Sequence, residues 1–147
     1  MKVAELMHTP AVSCQTTATV AEAARLMEDR NIGSVLVVDG GGYVAGIVTD
    51  RDLAVRGYAH GLSADGEVTE LMTRDLATIV PYATIEHAAE LMMGRGIRRL
   101  PVVDDDGRLH GVVALDDLVR ELTRQADTLV STMGIQAHRA RSLAVSQ

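Results

Sequence analysis

The strongest constraint on this chain is that it repeats itself. Residues 3–53 align on residues 68–118 without a gap, and 20 of the 51 pairs are identical. Val3-Ala4-Glu5-Leu6-Met7 matches Val68-Thr69-Glu70-Leu71-Met72. Ala23-Ala24-Arg25-Leu26-Met27 matches Ala88-Ala89-Glu90-Leu91-Met92, and Val37-Val38-Asp39 matches Val102-Val103-Asp104. Gly46 matches Gly111, and Asp52-Leu53 matches Asp117-Leu118. A match of that length means duplicated structure, so one unit must be read twice.

The unit reads as β-α-β-β-α. A short strand surrounds Val12-Ser13-Cys14 in the first copy and Ala77-Thr78-Ile79 in the second. A helix follows from about Val20 to Arg30, with Thr19 as N-cap and Glu22 completing a capping box. Its counterpart runs from Ile85 to about Arg95 behind Thr84, where His87 replaces the glutamate. Val35-Leu36-Val37-Val38 is apolar and β-branched, as a buried strand requires. The turn Asp39-Gly40-Gly41-Gly42, matched by Asp104-Asp105-Asp106-Gly107, supplies positive φ and side-chain caps. A strand from Val44 to Val48 closes the hairpin, and a second helix starts after Thr49. The polar, Gly-rich stretch 57–67 is the expected linker. Residues 3–56 and 68–122 are the two repeats, and 123–147 form a tail with an added helix around Ala126 to Met133. A half of this size buries little alone. Two copies are therefore expected to face each other across a pseudo-twofold axis, sharing one core, in an α+β fold with function in the clefts between them.

Composition narrows the function. The chain of 147 residues is 47% hydrophobic, with no Trp or Phe and three Tyr (Tyr43, Tyr58, Tyr82), so its core is aliphatic. A net charge of −6 argues against nucleic acid, which needs a positive face, and the tyrosines are too few for base stacking. No run approaches the roughly 20 apolar residues of a membrane helix, and the start at Met1-Lys2 carries no signal-peptide pattern. The lone Cys14 permits no intramolecular disulfide and fits a reducing compartment; a cytoplasmic protein is expected.

The sharpest motif is Gly46-Ile47-Val48-Thr49-Asp50-Arg51-Asp52. It places a hydroxyl at a helix start and a carboxylate one turn on. Free N–H groups and the helix dipole at such a start favour phosphate. Asp52 suits ribose hydroxyls, which donate to it. Thr-x-x-Asp is equally a capping pattern, with Thr49 as N-cap. The second copy, Gly111-Val112-Val113-Ala114-Leu115-Asp116-Asp117, loses the hydroxyl and keeps the acid. Arg98 and Arg99 precede a buried strand, either as a solvated turn or as a bidentate phosphate clamp. Their counterparts are Gly33 and Ser34, so any clamp is one-sided. His8, His60, His87, His110 and His138 show no zinc-ligand spacing, Asp104-Asp105-Asp106 lack EF-hand spacing, and no nucleophile is paired with a base. No enzyme is expected.

The duplicated Gly-Ile-Val-Thr-Asp-Arg-Asp motif and Gly96-Ile97-Arg98-Arg99-Leu100-Pro101-Val102-Val103-Asp104 resemble a tandem pair of cystathionine-β-synthase (CBS) domains, as in stand-alone bacterial CBS proteins. The resemblance covers residues 3 to about 122 and implies one Bateman-type module. It implies a regulatory sensor that binds an adenine nucleotide in a cleft between the repeats: AMP, ADP or ATP, with S-adenosylmethionine or NAD less favoured, and no required cofactor. Carried over, one site uses Thr49 and Asp52, with Ile47, Ala77 and Ile97 near the base and Arg98 and Arg99 at the phosphates. The other uses Asp117, with Val12, Ile32 and Val112 near the base; Ala114 departs from the family's Thr or Ser. The resemblance also implies a homodimer acting on a protein target that the sequence does not name. The alternative is a ligand-free interaction module acting through dimerisation.

Overall fold

A computed structural model describes the backbone of residues 1–145 and the side-chain surroundings of residues 1–134. In the first repeat, β1 (Ser13–Gln15) lies parallel to β2 (Ser34–Val38), which pairs antiparallel with β3 (Val44–Thr49). Helix α1 (Val20–Arg30) connects β1 to β2, and a π-helical segment, Asp52–Tyr58, follows β3. In the second repeat, α2 (Ile85–Arg95) leads to the hairpin of β4 (Arg99–Val103) and β5 (Leu109–Ala114), and then to α3 (Leu115–Val145).

Local chemistry explains these elements. Thr19 Oγ1 accepts from the Glu22 N–H at 3.2 Å, and Glu22 Oε2 accepts from the Thr19 N–H at 2.9 Å, the reciprocal box expected of α1. Thr84 caps α2 through the His87 N–H alone. In both hairpin turns the aspartate caps its own loop: Asp39 Oδ1 accepts from Gly41 and Tyr43, and Asp104 Oδ1 from Asp106 and Arg108. Gly42 and Gly107 close the turns at φ 86° and 90°, a region glycine enters without steric cost.

Four expectations need correction. The strand around Ala77-Thr78-Ile79 shrinks to one parallel bridge between Ile79 and Val102. In the first copy the Thr16 N–H extends the ladder to Val38 O at 3.0 Å; its counterpart, Pro81, has no N–H to give. The stretch expected as a linker begins two residues later, after Tyr58, and its end is bound: Gly66 O and Ala64 O accept from the Val20 and Ala21 N–H groups at the open start of α1. The tail is not a separate helix over Ala126 to Met133. It continues α3 without a break, because no Gly or Pro interrupts residues 115–133. Pairing of Arg124 with Glu121 supports that continuity and, with a further bond from Gln125, holds the Glu121 carboxyl down to about 2.

The fourth correction concerns the core. There are two buried clusters, and each takes its last piece from the other repeat. Ala23, Met27, Val35, Val37 and Val48 of the first repeat close over Val68, Leu71 and Met72. Ile85, Met92, Leu100, Val113 and Leu118 of the second close over Val3. The leading segments are exchanged. His8 pairs with Val112 on β5, and Thr73, its equivalent, pairs with Ile47 on β3. The two glycines make this approach possible. A Cβ on Gly46 would lie 2.6 Å from Thr73 O, and one on Gly111 would lie 2.8 Å from His8 O. At the pseudo-twofold axis the two hairpin turns meet, with the Arg108 guanidinium 5.2 Å from the centre of the equivalent Tyr43 ring. Among the described residues no helix is long and apolar enough to cross a membrane.

Candidate functional site

The exchange leaves one large cleft between the repeats, about 770 Å³ in volume, within the roughly 300–1,000 Å³ of small-molecule sites. All seven residues expected at the first site border it: Thr49, Asp52 and Ile47 from the first repeat, Ala77, Ile97, Arg98 and Arg99 from the second. Ile47, Ala77 and Ile97 give it an apolar part; the hydroxyl, the carboxylate and the guanidiniums give it a polar part.

At the end of β3 the capping reading of Thr-x-x-Asp holds. Asp52 Oδ2 accepts from the Thr49 N–H at 2.9 Å, and Thr49 Oγ1 accepts from the Asp52 N–H at 3.1 Å. The box uses one carboxylate oxygen and leaves the Thr49 O–H free to donate. Asp52 Oδ1 lies 3.8 Å from Arg56 Nη1, with the side chain 16% exposed. A capping box thus orients the two groups that face the cleft.

The expected phosphate site on the helix start is not available. The Asp50 N–H donates to Gly33 O at 2.9 Å, the Arg51 N–H to Asp50 Oδ1 at 2.8 Å, and the Asp52 N–H to Thr49. With these donors partnered, an anion must be met by side chains. Arg98 and Arg99 border the cleft, and Arg51 and Arg95, not singled out by the sequence, add two more guanidiniums. Arg98 is paired with Asp116 at 2.8 Å, but both side chains are at least 70% exposed, and an exposed pair holds weakly. Thr73 and Asp75 also line the cleft. Their role was hidden because they belong to the exchanged segment. The only sequence signal for it is Gly46, whose missing side chain admits Thr73.

The second expected set behaves differently. Asp117, Val12, Ile32 and Val112 do not line this cleft. Val12, Ile32 and Val112 are half-buried. Asp117, without a hydroxyl at Ala114, is bound instead to His8: Nε2 to Oδ2 is 2.7 Å. Arg120 Nη1 stands 3.4 Å from its other oxygen. Elsewhere, burial and then the charge of Glu22 push the Cys14 thiol up, which lowers its thiolate content. Among the described residues, no group of three or more His, Cys, Asp or Glu is placed to hold a metal ion.

Comparison with known proteins identifies the family and the fold. The family model described as CBS domain matches residues 3–56 and 68–124. The CBS domain-containing protein YhcV of Bacillus subtilis (strain 168) is 40% identical over 116 residues, 79% of this chain and 81% of that protein. The CBS domain pair of protein MJ0100, solved in complex with 5′-methylthioadenosine and S-adenosyl-L-methionine, superposes with a TM-score of 0.76 at 28% identity, covering 85% of this chain and 98% of that one. Hypoxic Response Protein I, solved with two coordinated zinc ions, superposes with a TM-score of 0.74 at 26% identity, covering 82% and 98%.

Proposed function

The chain belongs to the CBS-domain family as a tandem pair, and from that premise we propose that it is a regulatory module that binds an adenine nucleotide in the cleft bordered by Thr49 and Asp52. The observation that carries this reading is the convergence of seven residues, chosen from both repeats, on one cleft of suitable size. Asp52 accepts from the ribose hydroxyls, the apolar part formed by Ile47, Ala77 and Ile97 takes the base, and Thr49 with the guanidiniums takes phosphate. Similarity to a pair solved with adenosine-containing ligands supports the adenosine part. The guanidiniums favour AMP, ADP or ATP over S-adenosylmethionine, which carries no phosphate. A ligand that touches both repeats shifts the balance between their relative positions, and a partner protein reads the shift.

The apolar side chains left exposed on α3, among them Val119, Leu129, Val130 and Met133, favour a homodimer. The chain acts as a regulator rather than an enzyme, in the cytoplasm. One observation favours a second reading, a dimeric interaction module without ligand: the acid of the second motif is already engaged by His8.

Thermal unfolding with AMP, ADP, ATP, S-adenosylmethionine and NADH decides between them. A ligand that binds only the folded state at about 100 times its dissociation constant adds roughly 2.7 kcal/mol. The midpoint is expected to rise with an adenine nucleotide, and the rise is expected to vanish in Asp52→Asn, which keeps an oxygen for the Thr49 cap but loses the charge. No rise with any compound would leave the interaction module.

A further inference from the structure

We propose that the chain closes its own second cleft: His8 binds the carboxylate of Asp117, so the module takes one nucleotide per chain, and removal of the imidazole opens a second site. The inference rests on the nucleotide reading of the Thr49–Asp52 cleft. It starts from a comparison that the repeat itself supplies. The backbones at the two places are equivalent: His8 exchanges bonds with Val112 at 2.8 and 3.1 Å, as Thr73 does with Ile47 at 3.0 and 2.9 Å. Gly111 and Gly46 admit the two segments equally closely. At these bridges the side chains differ. Thr73 is short and, with Asp52, borders an open cleft. At the equivalent place, the imidazole of His8 reaches Asp117 at 2.7 Å. Val55 corresponds to Arg120, whose guanidinium takes the other oxygen of Asp117 at 3.4 Å.

A ribose diol recognises a carboxylate by donating to it. At Asp52 one oxygen serves the cap and the other has only the longer 3.8 Å contact with Arg56 Nη1. At Asp117 both oxygens have protein partners, and the imidazole stands where a sugar would approach. A ligand must expel that ring and break a short, charge-assisted bond before it can form its own. The ring is itself 66% exposed and belongs to neither buried cluster, so nothing in the core depends on it. The closure is therefore built from an exposed side chain that can be exchanged without disturbing the fold.

Binding stoichiometry by equilibrium dialysis against radiolabelled AMP, and separately ATP, tests this in the full chain. The wild type is expected to bind one nucleotide and His8→Thr, which installs the residue of the open cleft, two. Asp52→Asn should bind none and Asp52→Asn/His8→Thr one, and the gained site should vanish in His8→Thr/Asp117→Asn. The second site is expected to tighten roughly tenfold or more when His8 is removed. If His8→Thr gains no site in either background, the closure is overturned. If the wild type binds nothing yet His8→Thr gains a site lost with Asp117→Asn, the closure stands and the reading of the first cleft fails. If no variant binds nucleotide, both fail.

Discussion

At the scale of single residues, glycine and aspartate set the site. Gly46 is where one repeat touches the other: an added methyl would press on Thr73 O at 2.6 Å and Met72 Sδ at 2.8 Å. Gly46→Ala is expected to cost about 1–3 kcal/mol in urea unfolding, the usual range for overpacking. Because Thr73 and Asp75 line the cleft, it is also expected to weaken nucleotide binding, which Gly61→Ala should not do. The motif residues were legible because their chemistry is local. Thr49 and Asp52 are three apart, and their mutual cap is written in that spacing. His8 was not legible, since its partner lies 109 residues away and no pattern within the segment announces the bond.

At the scale of elements, apolar periodicity located the helices and hairpins, and the errors came from reading polarity as interruption. Residues 123–128 are mostly polar, yet they contain no breaker, so α3 runs on from its buried start at Leu118. At about 1.5 Å per residue its 31 residues span roughly 46 Å. Along it the exposed Val119, Ala126, Leu129 and Met133 recur at steps of seven, three and four, the spacing of a helix-pairing seam, while Leu122 packs on the second core. Thr123, Gln125 and Thr132 flank that seam without charge, so two copies can pair without like-charge repulsion. Leu129→Glu/Met133→Glu is expected to shift the protein from dimer toward monomer in sedimentation equilibrium while leaving its circular dichroism unchanged; an unchanged mass would remove α3 from the interface. The lost strand before α2 had its cause in plain view at Pro81, where periodicity outweighed the missing donor.

At the scale of the whole molecule, the offset between the copies revealed two units and a pseudo-twofold axis, but not which unit completes which core. Exchanged and unexchanged packing produce the same self-similarity, because equivalent residues fill equivalent places in either arrangement. The difference is measurable. Val3 is fully buried among residues of the second repeat. Val3→Ala is expected to cost about 2 kcal/mol by loss of burial and an unfilled cavity. Hydrogen exchange should locate the loosening in α2, β4 and β5, more than 80 residues along the chain, rather than in α1 and its neighbours. Faster exchange confined to α1 would mean that the leading segments are not exchanged.

That exchange also leaves the exposed turn around Gly61 as a tether, while residues 62–66 stay packed on the first repeat. Each half offers an arm and a socket, and the arm fits the socket of its twin. Two separate half-chains carry the same complementary parts as the joined one, as in dimers that swap an element. Joining them changes the effective concentration at which arm meets socket, not the contacts they make. A cut at the exposed turn around Gly61 would thus leave two pieces clasped together, held apart from solution only by how strongly they dilute.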